Sequence, residues 1–304
     1  MIRSVTVTNY NGDSLKIELA KPFDTGMLIY NITGIGASNA NINIAEMSTT
    51  DGALFSSARV GSRNIVFYIR FVGNDIETVR QKTYKYFPIK RKVTLEFETD
   101  NRISVIDGYV EKNDPQVFQK EEYTQISVVC PYPYFFKGGK NGTNITYFHA
   151  IDPLFEFPFS NESLSTPMIE MSQILQEPTK TIWYDGDGSV GVKIYIHAVG
   201  TTRNITIANL DTQQVMKIDT TKISKIMKGD GFKNGDDIEI STVQGDKYIR
   251  LLRNGTYTNI LNALDKNADW FQISKGDNRF AFTAEEGITN LQFRIENRLF
   301  YEGV

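Results

Sequence analysis

The feature that most constrains the fold is a short run of alternating apolar and polar residues, which recurs from one end of the chain to the other. Residues 5–10 and 15–19 place apolar side chains at every second position, the period of a β-strand with one buried face. In the second half, such runs are separated by the turn-forming dipeptides Asn234-Gly235, Gly245-Asp246, Asn254-Gly255 and Gly276-Asp277. Frequent β-branched residues and an aromatic content of 12% also favour strands. The sequence therefore predicts a mainly β protein.

A single helix is predicted, over residues 74–87. Asn74 can cap its N-terminus, and Glu77 stands three residues later, the spacing of a capping box. Apolar residues recur at helical spacing through this segment, and Pro88, which a helix interior does not tolerate, follows it. The preceding run, residues 65–72, is apolar on both faces and predicts a buried central strand. We therefore expect the first part of the chain to be a β domain with one α-helix.

The length of 304 residues allows about two domains, and a change in composition indicates where they meet. Prolines and glycines become frequent between residues 131 and 167, interleaved with tyrosine and phenylalanine. Because a solvated linker would not be so aromatic, this stretch predicts an ordered connector. We expect an N-terminal domain over residues 1–135, a connector over 136–166 and a C-terminal domain over 167–304. Short strands at regular spacing indicate that the C-terminal domain is a β-sandwich.

Residues able to perform catalysis or to hold a metal are scarce. The chain has one cysteine, Cys130, and two histidines, His149 and His197, which lie in different regions without the spacing of zinc ligands. A Cys130–His149 nucleophile pair is conceivable, but a small buried cysteine at the end of a strand is the simpler interpretation. No turn matches a full dinucleotide-binding or calcium-binding pattern. We therefore expect no catalytic residue, no metal and no cofactor.

The densest acidic group consists of Asp236, Asp237 and Glu239. Carboxylate pairs that hydrolyse glycosides are recognised only in three dimensions, so the sequence leaves that role open. Acidic turn residues that face water explain the group at least as well, and this is the interpretation we favour.

Charge and hydropathy argue against two kinds of partner. The formal net charge of −3 does not suit a surface that neutralises phosphates, so we expect no tight nucleic-acid binding. No stretch approaches the roughly 20 apolar residues that a bilayer requires, so we expect no membrane insertion. A single cysteine cannot form an internal disulfide, which suits folding in a reducing cytoplasm.

Three arginines are candidates for contacts that hold the protein together. Arg59 and Arg63 precede the long apolar run, and Arg80 lies on the predicted helix. They are either ordinary solvated charges or groups that pin the helix to the sheet or bridge to a neighbouring subunit, a task that suits a planar guanidinium. Both interpretations stay open, and all three residues are candidates for ring or domain packing.

Sugar binding is the alternative to a purely structural role. Saccharide sites stack sugar rings on exposed aromatic side chains, and Trp183 and Tyr184, next to Asp185-Gly186, are the candidates for such contacts. Trp270 is flanked by Phe271 and is expected to be buried. A structural role for Trp183 and Tyr184 remains the favoured interpretation, since a β-sandwich does not by itself confer sugar binding.

The ordered series of segments in the first 135 residues resembles the distal tail proteins of long-tailed phages that infect Gram-positive bacteria. The series consists of Asp51-Gly52, Ser56-Ser57-Ala58-Arg59-Val60-Gly61-Ser62-Arg63-Asn64-Ile65, the helix that contains Arg80, Lys92-Val93-Thr94-Leu95-Glu96-Phe97, Ile106-Asp107-Gly108-Tyr109-Val110-Glu111-Lys112 and Cys130-Pro131-Tyr132-Pro133-Tyr134-Phe135. The second half is similar to the family's C-terminal domain more loosely, at residues 235–242, 254–255 and 270–278. No single segment is specific, but their order is.

The resemblance implies both a fold and a function. The N-terminal domain would be a belt module that assembles, usually six copies at a time, into a ring around the tail channel, and the C-terminal domain would be a galectin-like β-sandwich. Such a ring joins the tail tube protein to the tail-tip hub protein, lets DNA pass and carries receptor-binding parts on its outside. The chain would then be a structural protein and not an enzyme, assembled in the bacterial cytoplasm and found at the virion tail tip. The alternative is a carbohydrate-binding module or adhesin for cell-wall sugar.

Overall fold

The computed structural model describes residues 1–47, 51–139, 142–153, 172–229 and 231–304, with side chains left out for 149–153 and 172–176. The chain forms two compact units, Met1–Gly142 with Phe300–Val304, and Thr143–Leu299. Strands account for 54% of the residues and helices for 10%, which confirms the predicted mainly β class.

The first unit is built on one large antiparallel sheet. The strands of the unit are β1 (Ile2–Thr8), β2 (Ser14–Glu18), β3 (Met27–Thr33), β4 (Ala40–Glu46), β5 (Ala53–Val60), β6 (Arg63–Phe71), β7 (Lys92–Thr99), β8 (Ile103–Gln116), β9 (Tyr123–Cys130) and β10 (Phe135–Lys137). The order in the sheet is β2-β1-β7-β8-β9-β6-β3, and β4 and β5 form a separate hairpin. Two helices, α1 (Pro22–Thr25) and α2 (Ile76–Tyr86), belong to this unit.

The core of the first unit is a cluster of aromatic rings between the sheet and α2. Phe67 on β6 lies 5.8 Å from Phe87 at the end of α2 and 6.2 Å from Phe97 on β7, measured between ring centroids. Phe135 meets the edge of Phe97 at 5.8 Å. Ring pairs in these geometries stabilise a core beyond their burial alone. Only every second residue of β6 is fully buried, so the predicted burial of both faces of this strand was wrong. The strand is also not central, since it lies second from one end of the sheet.

The predicted helix is present, but its cap differs from the prediction. Asp75, and not Asn74, is the N-cap residue, because its carboxylate accepts a hydrogen bond from the Thr78 amide at 3.0 Å. A charged acceptor also interacts favourably with the positive end of the helix dipole. Glu77 does not reach back to the cap; its carboxylate accepts hydrogen bonds from Arg80 and Gln81 instead.

The second unit is a β-sandwich. Its strands are β11 (Thr143–Tyr147), β12 (His149–Pro153), β13 (Ser172–Gln176), β14 (Thr179–Tyr184), β15 (Val190–Gly191), β16 (Lys193–Ala198), β17 (Arg203–Asn209), β18 (Gln214–Ile218), β19 (Asp237–Ser241), β20 (Tyr248–Arg253), β21 (Thr256–Asn259), β22 (Gln272–Ile273), β23 (Gly276–Glu286) and β24 (Leu291–Arg298). One sheet has the order β11-β24-β16-β19-β20-β21 and the other β14-β23-β17-β18. Phe282 on β23 stacks on Phe293 of β24 at 3.9 Å, which places the two inner faces against each other.

Two further features of the second unit were not expected. A short helix, α3 (Thr220–Ile226), is capped by the Asp219 side chain, which accepts from the Thr221 amide at 2.9 Å. After β24 the chain leaves this unit, and β25 (Phe300–Tyr301) pairs with β10 in the first unit. In the predicted connector 136–166, residues 140–141 and 154–166 lie outside the described residues, and the described part contains β11, β12 and the end of β10. The roles assigned to the domains 1–135 and 167–304 stay predictions.

Candidate functional site

The β4–β5 hairpin is the most exposed regular structure of the first unit. Its two strands pair only with each other in the part of the chain that the structure describes, from Ala40 opposite Val60 to Glu46 opposite Ala53. Every residue of β4 is exposed, and so is every residue of β5 before Val60. A two-stranded hairpin without a covering layer is marginally stable in water. The hairpin is therefore a candidate for contact with another protein.

Apolar side chains make up much of this exposed surface. Ile42, Ile44, Leu54 and Phe55 are each between 57% and 68% exposed. Ile44 stands opposite Phe55, and Ala45 stands opposite Leu54, so apolar side chains lie on both faces of the hairpin. Soluble monomers rarely expose a continuous apolar patch, and such patches mark surfaces that bind a partner.

Arg63 holds the two ends of this hairpin to the body of the first unit. It is the first residue of β6, three residues after the end of β5, and it is 4% exposed. Its Nη1 donates to the carbonyl oxygens of Gly34 at 2.7 Å and Gly36 at 2.5 Å, in the segment that leads into β4. Its Nε and Nη2 donate to the carbonyls of Pro133 and Glu302, both at 2.6 Å. One guanidinium thus joins four segments of the chain.

The surroundings of Arg63 require its planar shape. The guanidinium lies 4.6 Å above the ring of Phe135, a cation–π contact. Burial lowers the pKa of Arg63 below its usual value, and nearby groups such as Glu302, which raise this pKa, offset the shift only in part. Gly34 has φ +80°, and a Cβ there would lie 2.0 Å from the carbonyl oxygen of Asn64, so only glycine lets this segment approach the arginine. Of the two interpretations of Arg63, the geometry supports packing within the unit.

Arg59 and Arg80 are placed differently from Arg63. Arg59 is exposed on β5, opposite Asn41, and its side chain makes no ion pair or hydrogen bond within the described ranges. Arg80 pairs with Glu77 on its own helix at 2.5 Å and does not pin α2 to the sheet. Asn113 of β8 does this instead, since it donates to Thr83 Oγ1 at 3.2 Å and accepts from Thr124 at 2.8 Å. Sequence reasoning missed Asn113, because nothing local marks its partners.

The two sugar-contact candidates have opposite environments. Trp183 on β14 is 65% exposed, whereas its neighbour Tyr184 is fully buried. Adjacent residues of a strand point to opposite faces, so only one of the pair can face solvent. Tyr184 is therefore removed from the sugar-contact candidates, and Trp183 stays one. Trp270 is half-buried, and the Lys247 ammonium lies 5.5 Å from its ring centroid.

The acidic group at residues 236–239 is fully engaged. Buried Asp236 accepts from Arg253 Nε at 2.7 Å, and Asp237 pairs with His197 Nδ1 at 2.8 Å. Glu239 accepts from Arg250 and Tyr248; although burial raises the pKa of Glu239, these hydrogen bonds hold it below its usual value. A general acid for glycoside hydrolysis needs a raised pKa, and Glu239 has the opposite shift. The favoured interpretation as water-facing turn residues was wrong for Asp236 and Glu239, which are buried, whereas the side chain of Asp237 is 41% exposed.

Among the described side chains, the remaining candidates for chemistry form no reactive site. Cys130 is buried, and burial raises the pKa of its thiol to about 12, which makes it a poor nucleophile. The side chain of His149 lies outside the described residues. Within those residues, no three His, Cys, Asp or Glu side chains form a metal-binding group. In the same ranges no helix is long and apolar enough to cross a membrane.

Comparison with known proteins is informative only at the level of structure. No protein-family model matches the sequence, and no curated protein matches it. The Dit (gp 19.1) protein of phage SPP1, described as a paradigm of the hub adsorption apparatus in phages that infect Gram-positive bacteria, is similar with a TM-score of 0.64 and 11% identity. The similarity covers 97% of this chain and 99% of that one. A chain of the phage P2 baseplate, in its activated conformation with Ca, is similar with a TM-score of 0.50 and 12% identity, over 98% of both chains.

At 11% and 12% sequence identity, this structural similarity establishes the fold but not the function. It extends over both units, and it agrees with the resemblance found in the order of the sequence segments. The chain therefore has the fold of a phage distal tail protein over nearly its whole length.

Proposed function

We propose that this chain is a structural subunit of a phage tail tip, and that copies of it assemble side by side into a ring, with six copies expected. The fold supports a tail-tip role, and the exposed apolar β4–β5 hairpin is the observation that supports assembly. A ring needs a surface on each subunit that fits a different surface on the next, and a closed rotation. A protruding hairpin on one subunit provides the first of these surfaces.

The energetics favour covering the hairpin with a neighbouring subunit. Burying an isoleucine, leucine or phenylalanine side chain contributes about 1.5–3 kcal/mol, and four such side chains are exposed on the hairpin. Each hairpin strand also has one unpaired edge in the described residues, which a strand of the neighbour can extend. Arg63 fixes both ends of the hairpin, so less conformational freedom is lost when the hairpin docks.

The proposed ring joins the tail tube protein to the tail-tip hub protein and carries receptor-binding parts on its outside. DNA passes through the ring without being held, and the net charge of −3 suits this because the chain has no excess of phosphate-neutralising residues. The function lies in shape and contact area, so the protein needs no catalytic centre. It assembles in the bacterial cytoplasm and is carried in the virion tail tip.

The test compares the mass of the full chain in solution with that of hairpin variants. We expect light scattering to give a hexamer or stacked hexamers, and negative-stain images to show a ring with a central hole. Ile44→Ser with Phe55→Ser should give monomers with an unchanged circular dichroism spectrum. Phe118→Ser is the matched control, because Phe118 is fully exposed in the same unit but lies outside the hairpin. A hairpin variant that still forms rings would refute this role of the hairpin, and a wild-type chain that stays monomeric at high concentration would count against the ring.

A further inference from the structure

The outward face of the six-stranded sheet in the second unit is lined by aromatic and charged side chains. Strand register places one row across it, and the row consists of Tyr147, Arg294, Tyr195, Glu239 and Arg250. The adjacent row contains Gln292, His197, Asp237, Leu252 and Tyr257. All of these residues except Arg250 line an open groove of about 430 Å³. The groove lies on a rigid sheet, which keeps its shape without a ligand.

One end of the groove is a fixed cluster around Glu239. Arg250 donates to Glu239 Oε2 from Nε at 2.9 Å and from Nη2 at 2.7 Å, and Tyr248 donates to Oε1 at 2.5 Å. The guanidinium of Arg250 lies 3.9 Å from the ring centroid of Tyr257. The ring of Tyr257, which is 52% exposed, therefore stands at a set distance from a planar hydrogen-bond donor.

The centre of the groove repeats this combination of a ring and polar groups. Arg294 lies 4.2 Å from the ring centroid of Tyr195, and His197 Nδ1 bonds Asp237 at 2.8 Å. Burial raises the pKa of Tyr195 to about 12, and the nearby carboxylates of Glu296 and Glu239 contribute to this shift. The hydroxyl of Tyr195 therefore stays protonated. Among the described residues, the side-chain amide of Gln292 makes no hydrogen bond. The groove thus offers donors and acceptors beside flat apolar rings.

This chemistry matches one class of ligand. A sugar ring has an apolar C–H face, which stacks on a tyrosine ring, and neighbouring hydroxyls, which bind planar groups with two hydrogen-bonding atoms such as guanidinium, carboxylate and amide. The charges on the face nearly balance, with Lys193, Arg250, Arg294 and Arg298 against Asp237, Glu239 and Glu296. A polyphosphate ligand or a nucleic acid would need a larger excess of positive charge than this. A protein partner would have to bury these charges at a desolvation cost.

We propose that the outward face of the six-stranded sheet binds a neutral saccharide, with Arg294, His197 and Gln292 as hydrogen-bonding groups. The stacking platforms are Tyr147 and those faces of Tyr195 and Tyr257 that Arg294 and Arg250 do not cover. This site differs from Trp183, which lies on β14 of the other sheet. It lies within the second unit and does not depend on ring assembly by the hairpin of the first unit.

The first part of the test uses an array of neutral di- to hexasaccharides of glucose, galactose, rhamnose and N-acetylhexosamines, probed with the full-length protein. Polyglycerol phosphate and heparin serve as anionic probes. We expect binding to neutral saccharides and not to the anionic polymers. The affinity for the strongest neutral oligosaccharide is then measured by titration calorimetry.

The second part of the test uses variants. Tyr257→Ala should weaken the calorimetric affinity at least tenfold, and Tyr257→Phe should keep it within about threefold, because stacking needs the ring and not the hydroxyl. Phe118→Ala is the control, an exposed aromatic of the first unit, and should bind like the wild type, while Trp183→Ala tests the sugar-contact candidate on the other sheet. The hairpin variants should also bind like the wild type, which separates this proposal from that of the ring.

Three outcomes would overturn the proposal. The first is no neutral saccharide bound at a concentration of about 1 mM, where even weak sites give a measurable signal. The second is binding confined to the anionic polymers, which would assign the face to a phosphate-bearing or sulfated ligand. The third is binding that is lost in Trp183→Ala but kept in Tyr257→Ala, which would place the saccharide on the other sheet.

Discussion

Replacing Arg63 by alanine should destabilise the first unit more than any other single arginine substitution there. The substitution removes four hydrogen bonds from a charged donor to the carbonyls of Gly34, Gly36, Pro133 and Glu302, all between 2.5 and 2.7 Å. A hydrogen bond of this kind contributes about 1.5–3 kcal/mol. The four share one guanidinium and some of the freed carbonyls would reach water, so their contributions are not additive. We expect a loss of about 3–5 kcal/mol, more than one such hydrogen bond contributes and less than the sum of four.

Differential scanning calorimetry measures this loss. For a unit of this size, 1 kcal/mol corresponds to roughly 4 °C in the midpoint of unfolding, so Arg63→Ala should lower the midpoint of the first unit by about 12–20 °C. Arg59→Ala is the matched control, since Arg59 is exposed on the hairpin next to Arg63, and its midpoint should stay within about 2 °C of the wild type. Arg63→Lys keeps the charge but not the planar fork, and it should recover less than half of the loss.

Hydrogen exchange shows where the loss acts. In Arg63→Ala, amide exchange should rise first near residues 34–36, 133 and 302, the segments that Arg63 holds. A midpoint lowered by less than about 4 °C, or a rise in exchange spread evenly over the first unit, would refute the account of Arg63 as the link between these segments.

Two further predictions concern titratable groups. The pKa of Glu239 is lowered on folding, so its stabilising contribution is present above the unfolded value near 4.5 and is lost as the pH falls through the lower folded value. Urea unfolding of the second unit should therefore show a smaller loss of stability below pH 4.5 in Glu239→Gln than in the wild type, and equal losses would contradict the assignment. Because burial raises the pKa of the Cys130 thiol to about 12, iodoacetamide at about pH 8 should label the protein only after denaturation. Rapid labelling of the native protein, seen by intact-mass spectrometry, would show that the thiol is accessible.

Local patterns in the sequence were sufficient to predict the class of fold. Alternation with a period of two identified strands such as β1 and β2, and the spacing in residues 74–87 identified α2. These signals depend on neighbours within one or two turns of the chain, which the sequence displays directly. The sequence did not predict that Asp75, and not Asn74, caps α2. Both side chains can accept a hydrogen bond from a backbone amide in the first turn, and the choice depends on whether the helix begins one residue earlier or later.

Features that depend on distant partners could not be predicted in the same way. Ile42 and Ile44 alternate like residues of a core strand, yet they are exposed because no other described strand covers the hairpin. Arg63 was among the candidate residues, but the sequence could not show its four partners, which lie as far away in the chain as Glu302. The groove was missed entirely, since Tyr147, Tyr195 and Tyr257 come from three strands that only the sheet order brings together.

The hairpin and the groove suit different partners, and the physical reason is the cost of removing water. The hairpin exposes aliphatic and aromatic carbon, whose burial against a protein is favourable at about 25 cal/mol per Å². The groove exposes paired charges, and an apolar protein surface that covered them would remove their water of hydration without replacing its hydrogen bonds. A saccharide avoids this cost, because its hydroxyls replace the water that they displace while its C–H face covers the rings. A partner protein is therefore the better occupant of the hairpin, and a small polar ligand is the better occupant of the groove.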